Sequence, residues 1–450
     1  MAGLSVAHSA VIAQLVEHCS DPLLAKLAET VSTLPGAKAA AIAGMLNEAA
    51  IDRLRRNAVF SAILPLFANR ADGVTALSFP AQVLPRLWKA ASSREPALLP
   101  ALDDKETFHA VADRIGHAAA GAVRDQAELI WPTTLMPSDR EAGLENLASC
   151  LDLLHLARRG LPSLQAWIGR PDGDQIAELR LLVRDAAAVS PDGASRIVEI
   201  LFANLSDASL ILRIVTQTSG AAGRESFLSA SEMAGFVDRL IAGVNRRTQT
   251  IADLKPQRGL EGVEALIADV TWCAGVVTEL DVTLSLQPDS AWGKSVREAR
   301  VRVAGQLVNL LKAADKAVDA ALPMGRMQLT ARMTRMAPKM DAPYEGAAMT
   351  AADTLLRLVG AVRGAAAVFG FESDRKKLVN RLTERLSTYA DEALDLVNCG
   401  EADEAHGLKL IERAADFLVH LDATEAARTV RRRAAVAGVA PVNAAPSEAA

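Results

Sequence analysis

Four potential metal ligands follow one another at helical spacing in the first third of the chain. Glu106, His109, Asp113 and His117 are separated by three, four and four residues, which would place them on one face of a helix. Carboxylate and imidazole groups arranged in this way can hold a transition metal, as they do in sites built inside helical bundles. The spacing therefore raises the hypothesis of a metal-dependent all-α enzyme.

A complete bundle site also needs ligands from a second helix. The sequence identifies no clear second set, and Glu128 and His155 are the only residues that we can suggest. A solvated polar face, which surface helices commonly carry, explains the same spacing without a metal. We favour the polar face and keep His109, Asp113 and His117 as a metal-site alternative.

Motifs of common enzyme classes are missing from the sequence. It contains no Gly-x-Ser-x-Gly elbow and no Walker or dinucleotide-type glycine loop, and the segment SGAAGR at 219–224 lacks the lysine that a phosphate loop needs. His406 and the pair Asp416 and His420 have the same polar-face interpretation as the residues above. No motif assigns the chain to a known family, and no cofactor is expected.

The most unusual composition lies in residues 323–343, PMGRMQLTARMTRMAPKMDAP, which we call the Met-rich segment. It holds half of the chain's ten methionines and is rich in cations, and no acid occurs between Asp319 and Asp341. The residues concerned are Met324, Met327, Met333, Met336 and Met340, with Arg326, Arg332, Arg335 and Lys339.

The Met-rich segment suits an adaptable binding surface. If residues 325–337 are helical, Leu329, Met333 and Met336 share one side, and Pro338 ends or kinks the helix before Met340. Flexible thioethers flanked by cations fit a partner helix with acidic groups, a second copy of the chain, or an anionic lipid surface. The alternative is that the methionines fill gaps in a core where the preceding helix turns back.

Composition indicates an all-α protein. Alanine occupies 86 of the 450 positions and aromatic residues only 4%, so helices can approach closely while few rings are present to fill a sheet sandwich or a cofactor cavity. Arginine outnumbers lysine 37 to 12, which together with the alanine content is typical of a GC-rich bacterial genome. A net charge of -5 argues against a nucleic-acid binder that depends on phosphate neutralisation.

The sequence also predicts a cytoplasmic protein without membrane spans. The four cysteines form no CxxC or Cys/His cluster, so we interpret them as small core residues in a reducing compartment. The first residues lack the basic region of a signal peptide, and no run approaches 18 uncharged apolar residues.

Breaks in the helical pattern predict three helical units and a tail. We expect an N-terminal unit at 1–135 with a proline-rich corner at 69–100, a central unit at 136–288 and a C-terminal unit at 289–436. The units are arranged as consecutive bundles or as an irregular solenoid. Residues 437–450 cannot bury enough surface to order themselves.

Several local signals carry this assignment. Asp103 and Glu106 have capping-box spacing and predict a helix to about Ile130. Residues 280–286 alternate as a strand would but also fit a helix, which we prefer because no partner strand is evident. Ser290 is expected to open a helix to about Leu322 with a coiled-coil-like seam of alternating four- and three-residue steps. The seam is Val303, Leu307, Leu310, Ala314, Ala317 and Ala321.

Taken together, the sequence favours a non-enzymatic helical scaffold or adaptor over catalysis. We expect a protein partner, or self-association, at the Met-rich segment and no specific nucleic-acid ligand. A peripheral membrane protein that binds anionic lipid through the same segment is the first alternative. The metal-dependent enzyme is the second.

Overall fold

The all-α fold class is confirmed. The structure is a computed structural model that describes residues 6–131, 137–219, 224–253, 260–330 and 333–437. Helices account for 78% of it, and the described residues contain one sheet, a two-stranded antiparallel hairpin. No described helix combines the length and the hydrophobicity that a membrane crossing requires.

The chain divides into two compact units, Met1–Phe236 and Val237–Ala450. The division falls inside one helix, Ala234–Asp253. The expected three-way division at residues 135 and 288 stays a prediction. The expected disordered tail, 437–450, lies almost wholly outside the described residues.

The first unit is built from short and medium-length helices connected by tight turns. Four 3₁₀ turns, Leu64–Phe67, Pro96–Asp103, Leu161–Ser163 and Ala208–Leu210, link some of them. The helices are α1 (Val6–His18), α2 (Asp21–Ser32), α3 (Ala37–Val59), α4 (Val83–Arg94), α5 (Phe108–Asp125), α6 (Ala127–Ile130), α7 (Pro137–Asp152), α8 (Leu154–Gly160), α9 (Leu164–Ile168), α10 (Gly173–Val189), α11 (Gly193–Ala203), α12 (Ile211–Thr218) and α13 (Glu225–Leu228).

The second unit contains longer helices and one hairpin. The helix that crosses the division is α14 (Ala234–Asp253), and the apolar residues of α16 and α19 form much of the core. The remaining elements are α15 (Leu260–Thr283), α16 (Ala291–Ala321), β1 (Met324–Thr330), β2 (Met333–Pro338), α17 (Ala347–Ala361), α18 (Arg363–Phe369), α19 (Glu372–Asn398), α20 (Glu404–His420) and α21 (Thr424–Ala437).

The long helix α16 forms where the sequence predicts it. The Ser290 hydroxyl accepts a hydrogen bond from the Gly293 N–H, which satisfies one of the amide groups left free at a helix start. Val303, Leu307 and Ala314 of the expected seam are buried, whereas Ala317 is half-buried. The helix packs against α17, α18 and α19, so its apolar face is covered by helices of its own unit.

Arginine side chains hold the ends of many helices. The last carbonyl groups of a helix have no partner within it, and a guanidinium donates to them with favourable charge. In each of six pairs an arginine donates to a carbonyl at or just beyond the end of another helix. The pairs are Arg53 with α1, Arg158 with α3, Arg213 with α9, Arg70 with α11, Arg180 with α12 and Arg375 with α17.

The proline-rich corner is fixed by one of these arginines. Arg70 donates to the carbonyls of Phe202 and Leu205, at 2.6 and 3.0 Å, and its guanidinium lies 4.4 Å from the Phe202 ring centroid. Asp72 forms an ion pair with Arg70, and both side chains are largely buried. The corner is therefore attached to the C-terminal end of α11.

Two local expectations need correction. The helix predicted from Asp103 begins instead at Phe108, because Asp103 ends a 3₁₀ turn and Asp104 accepts hydrogen bonds from the Glu106 N–H and the Thr107 hydroxyl. Glu106 thus lies in a turn before α5, off the face that carries His109. For residues 280–286 the preferred helix is correct only as far as Thr283, where α15 ends, and residues 284–286 are not helical.

The cysteines differ in environment. Cys150 and Cys273 are buried as expected, but Cys399 is exposed just after α19, so its assignment to the core was wrong. Burial raises the pKa of the Cys150 and Cys273 thiols to about 12. Because the thiolate is the reactive form, both should be inert in the folded chain.

We predict that a thiol reagent at about pH 8 labels Cys399 quickly and labels Cys150 and Cys273 only after denaturation. Peptide mapping by mass spectrometry at successive times measures this order. A Cys399→Ser variant should lose the fast phase. Fast labelling of either buried cysteine in the native protein would contradict the packing of α7 or α15.

Gly360 and Gly364, four residues apart in the second unit, are predicted to differ in their tolerance of a side chain. A Cβ at Gly360 would lie 2.1 Å from the His420 carbonyl oxygen, whereas a Cβ at Gly364 would meet no heavy atom within 4 Å. Gly360→Ala should lower the free energy of unfolding by about 1–3 kcal/mol through overpacking. Gly364→Ala, its matched control, should change it by about 0.5 kcal/mol or less. Urea denaturation followed by circular dichroism compares them, and equal effects would rule out the close approach of α17 to α20.

Candidate functional site

The Met-rich segment forms the hairpin and not a helix. Its strands pair with Arg326 opposite Met336 and Met327 opposite Arg335. Residues directly opposite each other share a face of the sheet, so each face carries an arginine beside a methionine. The helical arrangement considered for residues 325–337 is therefore wrong. Prolines at both ends oppose a helix, since neither Pro323 nor Pro338 can donate the backbone hydrogen bond that it requires.

The base of the hairpin is packed and closed. Ala337 and Pro338 are buried, and β2 lies against α19. The Lys339 N–H donates to the Pro323 carbonyl at 3.0 Å, which joins the two ends of the hairpin. An isolated two-stranded hairpin is only marginally stable in water, so this packing is what holds it in place.

The chain after the hairpin is fastened to α20. His406 donates from Nε2 to the Ala342 carbonyl at 2.8 Å. The Lys409 ammonium donates to the Tyr344 hydroxyl at 3.0 Å, and Arg413 donates from Nε to the Tyr344 carbonyl at 3.2 Å. His406, which the sequence suggested as a polar surface residue, thus orients this segment.

Residues 326–328 and 334–336, which we call the outer half of the hairpin, are mostly exposed. Arg326 and Arg335 point to solvent, and Met336 is 54% exposed. Lys339 is exposed beside them, although its aliphatic stem covers Gly325. Within the described residues, none of these three cations forms an ion pair or a side-chain hydrogen bond.

The remaining residues of the predicted site have other positions. Met324, Met327 and Met340 are half-buried, and a Cβ at Gly407 would lie 2.9 Å from the Met340 Cε. Arg332 and the side chain of Met333 lie outside the described residues. Packing therefore accounts for part of the methionine content, and Met336 is the described methionine that offers an open surface.

The face of α5 that carries His109, Asp113 and His117 contacts α8. Helix α8 carries His155, which the sequence analysis suggested as a possible ligand from a second helix. The rings of His117 and His155 stack with their centroids 6.2 Å apart. Each ring donates from Nδ1 to a carbonyl of its own chain segment, His117 to Asp113 at 2.9 Å and His155 to Asp152 at 3.1 Å. His109, Asp113 and His155 border a groove of about 460 Å³ with Arg158.

The Asp113 carboxylate in this groove is engaged by an arginine. It forms an ion pair with Arg158, whose side chain is only 9% exposed and which also donates to the Val59 carbonyl at 2.7 Å. Burial lowers the pKa of Arg158, and the charge of Asp113 opposes that effect. Among the described residues, no three histidine, cysteine or acidic side chains are grouped as metal ligands would be.

Asp416 and His420, which the sequence analysis considered as a pair, make separate interactions. His420 contacts Asp353 of α17 at 2.7 Å, and Asp416 pairs with Arg431 of α21 at 2.8 Å. Both interactions join helices of the second unit. The first interaction joins α20 to α17 and the second joins α20 to α21, so the two residues form no common site.

Sequence reasoning missed a groove of about 610 Å³ in the first unit. It lies where α7 and the ends of α5 and α10 meet the start of α11, and Ser149, Ser190 and Arg196 border it. These three residues are widely spaced in sequence and match no motif. The only local signal is the sequence Pro-Asp-Gly at 191–193, which also occurs at 171–173.

No protein-family model matches the chain, and neither does any curated protein or solved structure. The proposals for its function therefore depend on the surfaces described above.

We predict that Asp113 stabilises the first unit as an ion-pair partner of Arg158. Asp113→Asn should lower the free energy of unfolding by about 1–3 kcal/mol, because a largely buried guanidinium would lose its counter-charge. Thermal and urea denaturation measure the loss. His109→Asn, at the exposed rim of the groove, serves as the control with little expected change.

A metal site would give a different result. If His109, Asp113 and His117 held a metal, a chelator would lower the melting temperature of the wild type and both variants would respond less to zinc. We expect the effect of Asp113→Asn to be the same with and without the chelator. Stoichiometric metal in protein purified without chelators would contradict the ion-pair interpretation.

Proposed function

We propose that the protein is a non-enzymatic helical scaffold or adaptor that binds a protein partner at the outer half of the hairpin. The observation that carries the proposal is the set of unpaired cations, Arg326, Arg335 and Lys339, around the exposed Met336. Most other arginines of the described chain are engaged with carboxylates or carbonyls. Exposed cations beside an apolar side chain provide both charge attraction and burial to a partner.

The backbone of β1 offers a second means of recognition. Its only strand partner in the described chain is β2, and no further backbone hydrogen bond leaves it. An unpaired strand edge can accept an extended segment as an additional strand. Main-chain hydrogen bonds then supply affinity, while the side chains on the two faces supply specificity.

The chemistry of the surface defines the partner. Between Asp319 and Asp341 the chain has no acid, so the hairpin itself carries no negative charge that would repel a segment with glutamate or aspartate. Met336 favours an apolar residue between those acids, because thioethers adapt to different shapes. We infer an extended acidic segment with interspersed apolar residues.

We predict that Arg326→Glu/Arg335→Glu weakens partner binding by about five- to thirtyfold, because two attractions become repulsions worth roughly 1–2 kcal/mol together. Fluorescence anisotropy with a labelled peptide of alternating glutamate and valine measures binding, which should also weaken as salt rises. Pull-down from native lysate, followed by identification of the contacting segment by cross-linking, then tests a natural partner.

The matched control is Arg297→Glu/Arg302→Glu on α16. These arginines are exposed, they have no ion pair within the described residues, and their reversal changes the net charge by the same amount. We expect unchanged peptide binding in this control and an unchanged helical circular dichroism spectrum in both variants. Equal loss in the two variants would mean that net charge alone governs binding, which contradicts the proposal.

Flotation with vesicles tests the alternative that the hairpin binds a membrane surface and not a protein partner. Vesicles that contain phosphatidylserine are compared with neutral phosphatidylcholine vesicles. Flotation that requires both the anionic lipid and Arg326 and Arg335, without any peptide binding, would replace the protein partner by a lipid surface. Concentration-dependent dimerisation that is lost in the Arg326→Glu/Arg335→Glu variant would make a second copy the partner.

A further inference from the structure

The hydrogen-bond ladder of the hairpin determines which backbone groups of β1 face β2. In an antiparallel pair, residues that exchange two backbone hydrogen bonds alternate along each strand with residues that exchange none. The Lys339 N–H donates to the Pro323 carbonyl across the base of the hairpin, and the register is unbroken over residues 324–328. Gly325 and Met327 therefore direct their N–H and carbonyl groups toward β2, because they follow Pro323 in steps of two.

The other residues of β1 direct these groups to its free edge. The N–H and carbonyl groups of Met324, Arg326 and Gln328 point away from β2, and within the described residues no backbone group is bonded to them. Arg326 and Gln328 are exposed and Met324 is half-buried, so this edge is most open toward the end of β1. It offers alternating main-chain donors and acceptors to an extended chain.

The edge of β2 is less suited to an additional strand. Pro338 lies opposite Met324, at a position whose backbone groups point away from β1, and it has no N–H to donate. Proline on an edge strand is one means by which proteins prevent strand addition. The edge of β1 has no such interruption, so it is the better edge for a further strand.

The two faces of the hairpin differ in chemistry. Arg326 and Gln328 lie on one face with Met336 of β2, and all three side chains are exposed; we call this the Arg326 face. Met327, which is half-buried, and Arg335 lie on the other, which we call the Met327 face. A strand added beside β1 would have Arg326 and Met327 as direct neighbours, whereas Arg335 would be one strand further away.

The charges of the surrounding residues leave the Arg326 face positive. Residues 323–343 contain four cations and a single acid, Asp341, which is exposed after the base of the hairpin. Asp319, the nearest acid before the hairpin, pairs with Arg385 at 2.9 Å. Water screens the charge of Asp341, and Lys339, two residues before it, opposes that charge.

The acids of α19 lie on the side of β2. They are Asp391, Glu392 and Asp395, and Asp391 pairs with Arg433 of α21 at 2.5 Å. The helix contacts mainly β2, so these acids are nearer to β2 than to the free edge of β1. An acidic segment at the edge of β1 therefore meets the cations of the hairpin before it meets these acids.

We propose that the partner segment adds to the free edge of β1 as an antiparallel third strand, with its acidic side chains on the Arg326 face and its apolar side chains on the Met327 face. This inference rests on the binding of an acidic segment proposed above and specifies its register. Antiparallel pairing is slightly more stable per residue than parallel pairing. A third strand also stabilises a hairpin that is marginal by itself.

The alternation of side chains couples this register to the hydrogen bonds. In the antiparallel arrangement, the residues opposite Met324, Arg326 and Gln328 direct their own N–H groups toward β1 and their side chains onto the Arg326 face. The acidic residues of the segment are therefore the ones that donate main-chain hydrogen bonds to β1. A slip by one residue would move every acid to the Met327 face, away from Arg326.

N-methylation of the peptide tests this register with the wild-type full chain. Anisotropy titrations compare the labelled peptide of alternating glutamate and valine with two versions, in which either every glutamate or every valine carries a methyl group on its backbone nitrogen. The methyl group removes the N–H donor and leaves the charge and the side chains unchanged. Methylated glutamates should weaken binding by at least about tenfold through the loss of several main-chain hydrogen bonds. Methylated valines, the matched control, should leave binding nearly unchanged.

The outcomes separate this inference from the function on which it rests. If the unmodified peptide does not bind, the proposed function and the register are both wrong. If it binds and methylated glutamates do not weaken it, charge attraction alone holds the segment, so the register is wrong while the proposed function stands. Weakening by methylated valines, alone or to the same extent, would indicate another register or a parallel strand and would overturn the inference as well.

Two variants test the register from the side of the protein. Arg326→Gln should weaken binding of the unmodified peptide about threefold more than Arg335→Gln does, because Arg335 lies one strand further from the added segment. Each variant removes one positive charge from the hairpin, so the net charge is matched. Helical circular dichroism and the melting temperature should stay those of the wild type. Equal weakening by the two variants would contradict the addition of a strand at β1.

Discussion

A chain that folds into many short helices must satisfy many helix ends, and this requirement governs much of the structure. Each helix leaves its last carbonyl groups without partners inside the helix. Here arginines from other helices donate to those carbonyls, as Arg158 does at the end of α3 and Arg375 at the end of α17. A guanidinium is suited to this because its planar group can bind a carbonyl and a carboxylate together. Arg158 does both, since it also pairs with Asp113. The excess of arginine over lysine, which the sequence alone linked to genome composition, therefore also has a structural use.

The same requirement makes the exceptions informative. Most guanidinium groups of the described chain are engaged. Those of Arg326 and Arg335 in the hairpin have no ion pair among the described residues, as is also true of some surface arginines on helices, such as Arg297 and Arg302. Arg326 and Arg335 are exposed on opposite faces of a hairpin, which suits a flexible segment.

The sequence predicted the features that depend on local chemistry. Helical periodicity and the Ser290 cap were sufficient for α16, and the composition was sufficient for the fold class. The sequence analysis did not predict the hairpin, because methionine and arginine favour a helix. Pro323 and Pro338 oppose a helix at both ends of this segment. The groove bordered by Ser149, Ser190 and Arg196 could not be predicted, since these residues come together only through the packing of helices that are distant in sequence. The sequence Pro-Asp-Gly occurs at the start of both α10 and α11, but only the structure shows that Asp172 caps α10 whereas Asp192 does not cap α11.

The hairpin separates the residues that hold it from the residues that can bind. Its base is fixed by Ala337, by the link from Lys339 to Pro323 and by the contact of β2 with α19. The segment that follows is held by His406 and Arg413 of α20. None of these interactions involves the side chains of Arg326, Arg335 or Met336. The side chains of the outer half contribute little to packing. Substitutions there can therefore change an interaction surface without loss of the fold.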